Sequence, residues 1–342
     1  MNIPPPSYTM KTVHSDSDKE SIDLMPSENL TIQNPKGKCL ARPGISLSFY
    51  MDETLPLLAP KIIGILDRYI ALIGEQTLQS FINDDGYAKK LTRRTLTQDR
   101  IRLQSVPDTI NAIIIEYGSD PSGWIGEFGF TFNGADFSHD LYEETRANYL
   151  RLDFPLNYLI HTGPETLLNL FRDTVTLLPV QFANGGFTFQ RSSSTQSDSN
   201  SGVNKRLMRY LGFDPGYEDI MDDMRGHAFT AHWLNYLRKD LVESCGGSEV
   251  FRQKLVNAEL HPMPGGIVIR SAKYPPAGDV NRGATDLGRI PELATLMQPV
   301  RADINAFGEP VEVFDAAAWM ARFDERSSYP WDNEASYNAF VS

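Results

Sequence analysis

Cysteine is scarce in this chain of 342 residues, which contains only Cys39 and Cys245. Two cysteines cannot form a disulfide framework or a thiolate zinc site. The six histidines also lack metal-site spacing, because His227 and His232 are five residues apart, whereas zinc ligands on one helix face are four apart. We therefore expect neither a metal nor any other cofactor.

Long apolar runs are also missing, and basic charge is in the minority. No segment approaches the roughly 18 apolar residues that cross a membrane. Residues 1–30 have no basic segment followed by an apolar run, as a secretory signal would have. We therefore expect a cytoplasmic protein without membrane contact. The net charge of −12 argues against direct nucleic-acid binding. An acidic surface suits solubility, or a partner with a positively charged groove.

Motifs of catalysis are absent as well. The sequence has no G-x-S-x-G elbow, and its glycines match neither the dinucleotide nor the P-loop spacing. The five acids within 214–223 would suffice for a general acid and base if a cleft raised the pKa of one. Such a density of acids more often forms a solvated or partner-facing surface. The sequence therefore indicates that the protein is not an enzyme.

The apolar periodicity predicts an α+β fold, with a mixed, largely antiparallel sheet and packed helices. Connections between most strands are too short for helical crossovers, and strands outnumber the helices. Two passes of strand, long helix and further strands suggest a pseudo-duplication. Strand patterns occupy 44–52, 109–117, 127–136, 148–156, 180–191 and 258–272. Helical patterns occupy 55–83, 163–178, 227–245 and 290–300, and a short helix is expected around 203–211.

Composition divides the chain into three parts. Residues 1–42 are expected to form a polar N-terminal arm, residues 43–303 the α+β domain, and residues 304–342 a polar C-terminal tail. The low-complexity stretch 192–202 is expected to be an exposed loop. The basic run 89–102 is interpreted as a solvated connecting face.

The stretch "AGDVNRG" follows a predicted strand. Gly278 and Gly283 allow positive φ, while Asp279 and Asn281 can form Asx-type turns with their own backbone. Arg282 can tie the loop to a carboxylate or to carbonyl groups. These features predict a rigid turn and do not by themselves indicate a reaction.

The combination of segments in the C-terminal third carries a family resemblance. "HWLNYLRKDLVESCGGSEVFRQKL" (232–255) is followed by "HPMPGGIVIRSAKYPPAGDVNRG" (261–283) and by "PELATLMQPVR" (291–301). The Trp-Leu-x-x-Leu pattern, the Gly-Gly pause and the G-D-V-N-R-G loop resemble the type VI immunity family, TsiV, over roughly 44–303. The resemblance implies a cytoplasmic antitoxin in bacterial competition. Such a protein neutralises an effector of the type VI secretion system, often a nuclease of the VRR-Nuc class.

An inhibitor of a nuclease can use acidic groups as phosphate surrogates. The candidate partner-binding residues are Asp214, Tyr217, Glu218, Asp219, Asp222, Asp223, Asp279, Asn281 and Arg282. Two alternatives stay open: an enzyme whose 214–223 carboxylates reverse the toxin's action, and a chaperone that loads the effector. A homodimer is a further option, because Phe229, Trp233 and the 55–83 helix can pack inside the protein or across an interface.

Overall fold

The computed structural model describes residues 29–107, 110–123, 125–139, 144–192, 195–216, 219–282, 287–303 and 319–324, without the side chains of Asp219 and Arg282. The strands are β1 (Ile32–Gln33), β2 (Cys39–Met51), β3 (Ser80–Ile82), β4 (Ala88–Lys90), β5 (Ala112–Gly118), β6 (Gly129–Ala135), β7 (Asn148–Pro155), β8 (Val180–Gln190), β9 (Leu234–Arg238), β10 (Glu259–Met263) and β11 (Gly266–Arg270). The helices are α1 (Leu55–Ile73), α2 (Arg93–Gln104), α3 (Leu156–Thr162), α4 (Pro164–Leu177), α5 (Gln196–Leu207), α6 (Lys239–Ser244), α7 (Ser248–Lys254) and α8 (Ile290–Met297).

One sheet of 11 strands organises the described chain. Its order is β10-β11-β9-β8-β2-β7-β6-β5-β3-β4, with β1 paired to β2, and the pairings between these strands are antiparallel. The α+β prediction with a largely antiparallel sheet is confirmed. The pseudo-duplication stays a prediction. None of the described helices has the length and apolar content that a bilayer crossing requires.

One face of the central sheet is apolar and is covered by α1 and α4. Phe49 of β2 lies 5.3 Å from Phe171 of α4, between ring centroids, and Tyr69 of α1 lies 5.3 Å from Phe154 of β7. All four of these rings are buried. Burial of such aromatic area is the main driving force for holding helices on a sheet.

The opposite face is polar. Because directly opposed residues share a face, the register places Ser46, Ser48, Thr131, Asn133, Arg151, Asp153 and Asn184 on it. We call this surface the polar face. All seven side chains are buried, so other parts of the chain must cover them.

The helix predicted at 227–245 is wrong. The segment forms β9 and then the short helix α6. Residues 228–237 are all buried, because β9 lies between β8 and β11 inside the sheet. In β9 the apolar residues Leu234 and Leu237 lie on opposite faces, so the strand has no period of two and its apolar residues can match a helical stripe by chance.

Two other predicted segments differ from the structure. Helix α1 ends at Ile73 and not at 83, because Gly74 has φ of 95° and its N–H donates to the carbonyl of Ile70. The stretch predicted as an exposed loop, 192–202, instead contains the start of α5. The inner face of α5 is polar because Ser199 and Asn200 accept hydrogen bonds from the buried guanidinium of Arg191.

Described segments outside 43–303 also pack into the fold. Leu30 and Trp319 are both buried, and the Trp319 ring lies 5.8 Å from that of Phe229. The rest of the predicted arm and tail lies outside the described residues, and the division at 43 and 303 stays a prediction.

Candidate partner-binding surface

The acidic segment, residues 214–223, begins beside β8. The N–H of Asp214 donates to the carbonyl of Phe187 at 2.9 Å, and the carbonyl of Asp214 accepts from Phe189 at 3.1 Å. Farther along, the carbonyl of Met221 accepts from Ala147, just before β7, at 2.8 Å. The segment therefore contacts β8 at its start and the residue before β7 near its end, and these two strands flank β2 in the sheet.

The carboxylate of Asp214 points inward. It accepts hydrogen bonds from the N–H of Gly216 at 2.6 Å and from Nδ2 of Asn184 at 3.2 Å, and it lies 3.2 Å from Nε2 of His232. Burial opposes its charge, but the contacts with His232, Gly216 and Asn184 outweigh that effect and lower the pKa of Asp214. Asp214 therefore anchors the acidic segment to the sheet.

We predict that Asp214→Asn lowers the free energy of unfolding at pH 7 by about 1.5–3 kcal/mol, the range for hydrogen bonds to charged groups. A carboxyl whose pKa is lowered by folding stabilises the protein above its unfolded pKa, near 3.9, and that stability is lost as the pH falls through the folded pKa. The difference between the two proteins should thus shrink below about pH 4. Urea denaturation from pH 7 to pH 3 measures this. A difference that stays constant over the whole range would contradict the anchoring role.

The other acids of the segment differ in their surroundings. Asp222 pairs with Arg146, which also donates to Asn133 of the polar face at 3.0 Å, and the Asp222 side chain remains 42% exposed. Asp223 is partly exposed. The backbone of Asp219 lies in a 3-10 turn (Asp219–Asp223), while Tyr217 and Glu218 lie outside the described residues.

The loop predicted at 278–283 is a rigid turn, as far as it is described. Both carboxylate oxygens of Asp279 bind Arg209, at 2.8 and 2.9 Å, and one of them accepts from the N–H of Asn281 at 3.0 Å. The predicted Asx-type turn at Asp279 is confirmed. Asn281 is exposed, whereas the side chain of Arg282 and the whole of Gly283 lie outside the described residues.

The structure brings this loop and the acidic segment together through residues 209–213. The N–H of Leu211 donates to the carbonyl of Gly278 at 3.1 Å, and the N–H of Gly212 donates to that of Ala277 at 3.0 Å. Residues 209–213 lead directly into Asp214. Sequence reasoning missed this connection, since the ion pair of Arg209 with Asp279 joins residues 70 positions apart.

A buried ion pair on the polar face is connected to the acidic segment by hydrogen bonds. On the polar face, Nε of Arg151 lies 3.1 Å from Oδ2 of Asp153, and Nη2 of Arg151 donates to the carbonyl of Arg191 at 2.9 Å. Arg191 in turn donates to the carbonyl of Pro215 at 2.6 Å. The polar face, α5 and the acidic segment thus form one network of hydrogen bonds.

This arrangement holds the acidic segment in place. His232, the imidazole beside Asp214, is 2% exposed and lies inside the protein. Within the described ranges, no three His, Cys, Asp or Glu side chains gather into a group that could hold a metal ion. The described geometry therefore supports positioning of the acidic segment.

Comparison with known proteins decides the family. The family model TsiV, described as type VI immunity for VRR-NUC, matches residues 61–332. The chain belongs to the TsiV family. The match includes the acidic segment, the loop after β11 and the buried Trp319, so the parts that form the candidate surface all lie within the TsiV region.

The fold of this TsiV protein is shared with a solved structure. It resembles the Pseudomonas aeruginosa T6SS protein PA0821 with a TM-score of 0.72 and 19% sequence identity, over 95% of this chain and 94% of that one. At this identity the likeness shows the fold alone. No curated protein matches this sequence.

Proposed function

We propose that this TsiV protein is a non-catalytic immunity protein that binds a type VI secretion nuclease with a VRR-NUC domain and blocks it stoichiometrically. The observation that carries the proposal is its membership of the family described as type VI immunity for VRR-NUC. We place this action in the cytoplasm, because a nuclease that attacks the cell's own DNA must be neutralised there.

We further propose that the acidic segment and the neighbouring 278–283 loop take part in occluding the active site or the DNA-binding channel. A protein that grips DNA needs a basic channel, and exposed carboxylates such as that of Asp222 can enter it in place of phosphates. Asp214 and Asp279 contribute by holding the backbone, since both are engaged in buried contacts. Tyr217, Glu218, Asp219, Asp223, Asn281 and Arg282 remain proposed contacts.

Effective protection requires tight binding. A Kd near 1 nM corresponds to about −12 kcal/mol, and a few well-packed anchors supply most of such an energy. The anchoring of Asp214 and Asp279 favours tight binding, because less conformational entropy is lost where the backbone is already held in place.

The test is a titration of the VRR-NUC nuclease encoded beside this gene, assayed by cleavage of plasmid DNA. We expect cleavage to disappear at a stoichiometric ratio, and the two proteins to co-elute on gel filtration. Full cleavage in the presence of excess protein would reject occlusion of that nuclease.

Two alternatives give different results in the same assay. An effector-loading chaperone would co-elute with the nuclease and leave it active. An enzyme that reverses the damage or modifies the toxin would act at substoichiometric amounts. Its activity would be lost on substitution of one carboxylate, whereas a charged interface should lose affinity in steps as carboxylates are substituted.

A further inference from the structure

A second surface of the molecule has the composition of a binding site. It lies at the edge of the sheet formed by β4 and continues onto α2. Its members are Tyr87, Lys89, Arg94 and Ile101, and we call it the basic edge patch. All four members are exposed, although the chain as a whole carries a net charge of −12.

Two large apolar side chains stand out in this patch. Tyr87 is 66% exposed and Ile101 is 63% exposed, the highest values among the described large apolar residues. Ile101 lies seven positions after Arg94 on α2, which places both on one stripe of the helix surface. Aromatic and arginine side chains are enriched at protein interfaces, and clustered exposed apolar groups often mark them.

The backbone of Tyr87 is held in place by the β3–β4 turn. Asn83 closes the β3–β4 turn: its side-chain oxygen accepts from the N–H of Tyr87 at 2.7 Å, and its own N–H donates to the carbonyl of Tyr87 at 3.0 Å. Arg102 of α2 pairs with Asp84 of the same turn at 3.7 Å, so hairpin and helix are neighbours. Because this backbone is already fixed, little backbone entropy is lost when Tyr87 binds a partner.

The patch has surplus positive charge. Arg93, Arg100 and Arg102 each pair with a nearby acid, Glu75, Asp67 and Asp84 respectively. For Lys89 and Arg94, the part of the chain that the structure describes supplies no carboxylate within ion-pair distance. These two cations therefore remain available to a carboxylate-bearing partner.

We infer that the basic edge patch is a docking surface for an acidic, carboxylate-rich surface of the cognate nuclease, with Tyr87 and Ile101 as its apolar anchors. The inference rests on the proposed function, which supplies the partner, and assigns that partner a second contact beside the acidic segment. Opposite charges at two separate sites would fix the orientation of the complex and discriminate against other nucleases.

The experiment measures the Kd of the full-length protein for the purified VRR-NUC nuclease, in an inactivated form, by surface plasmon resonance. Tyr87→Ala and Ile101→Ala should each raise the Kd about tenfold or more, as expected for interface anchors. The double charge reversal Lys89→Glu with Arg94→Glu should raise it as well. The matched controls are Val256→Ala and Lys254→Glu. Val256 is 58% exposed and lies just before β10, at the opposite edge of the sheet, and Lys254 lies on α7. Both controls should bind like the unsubstituted protein.

The outcomes separate this inference from the proposed function. If the unsubstituted protein neither binds nor inhibits the nuclease, both fail. If it inhibits and the patch variants bind equally well, with unchanged Tm, the docking surface is overturned and the proposed function stands. Tighter binding by the charge-reversed variant would show that the patch faces a basic surface, which also overturns it. Binding of the unsubstituted protein to a short DNA duplex, lost only on charge reversal, would assign the patch to nucleic acid instead.

Discussion

Replacing Arg151 by Met is expected to lower the free energy of unfolding by about 3–5 kcal/mol at neutral pH, because it leaves a buried carboxylate without its cation. Arg151 is 3% exposed and Asp153 is 6% exposed, and Ser46 donates to the second oxygen of that carboxylate. Urea denaturation monitored by tryptophan fluorescence gives the value.

The pH dependence of this loss identifies its cause. Burial raises the pKa of Asp153 in spite of the opposing contacts with Arg151 and Ser46. A carboxyl with a raised folded pKa adds stability that is fully present below its unfolded pKa, near 3.9, and that is lost as the pH rises through the folded pKa. In Arg151→Met the cation is gone and the pKa rises further. The deficit should therefore be smaller near pH 5 than at pH 7.5.

The double variant Arg151→Met with Asp153→Asn is the matched control. It removes both charges. Replacing both members of a buried ion pair by neutral residues lowers the free energy of unfolding far less than leaving one charge buried without its partner. We expect it to recover much of the lost stability. If the double variant is as unstable as Arg151→Met, the loss of stability comes mainly from lost packing and from the lost hydrogen bond to Arg191. If Arg151→Met itself has an unchanged free energy of unfolding, the role of the ion pair is contradicted.

Most strands could be predicted from the sequence because one of their faces is apolar. Ile45, Leu47 and Phe49 alternate in β2, and the structure buries them beneath helices. The alternation fails in β9, where the buried apolar residues Leu234 and Leu237 lie on opposite faces of the strand. A signal was nevertheless present there: the run "FTAHWLNY" consists largely of aromatic, Thr, His and Asn residues, which are poor helix formers.

The candidate site could be predicted only in part. The acid density at 214–223 is visible in the sequence, but the difference between anchoring and exposed acids is not. Whether Asp214 faces inward depends on His232 and Asn184, which come from other strands or their flanks. Such long-range pairing has no local pattern. The basic run at 89–102 shows the same limit, because only the fold reveals that Ile101 within it and Tyr87 just before it are exposed.

Gly212→Ala is expected to break the connection between the 278–283 loop and the acidic segment. A Cβ atom at this position would lie 1.9 Å from the carbonyl oxygen of Pro276, a backbone atom that no side-chain rotation can move away. Relief requires the two stretches to separate, which costs the hydrogen bonds from Leu211 and Gly212 to Gly278 and Ala277. We expect about 3 kcal/mol of lost stability, at the upper end for overpacking.

The matched control for this variant is another Gly→Ala exchange. Gly64 is exposed within α1, and a Cβ atom there meets nothing within 4 Å, so Gly64→Ala should stabilise the protein by about 0.5–1 kcal/mol.

Because residues 209–213 lead into Asp214, Gly212→Ala should also weaken nuclease binding, by about tenfold or more if the segment contributes an interface anchor. Thermal denaturation and binding measured on the same preparations separate the two effects. Lost stability with unchanged affinity would mean that the position of the acidic segment is irrelevant to the partner. Lost affinity in a variant that is still fully folded at the assay temperature would show that binding depends on the position of the segment.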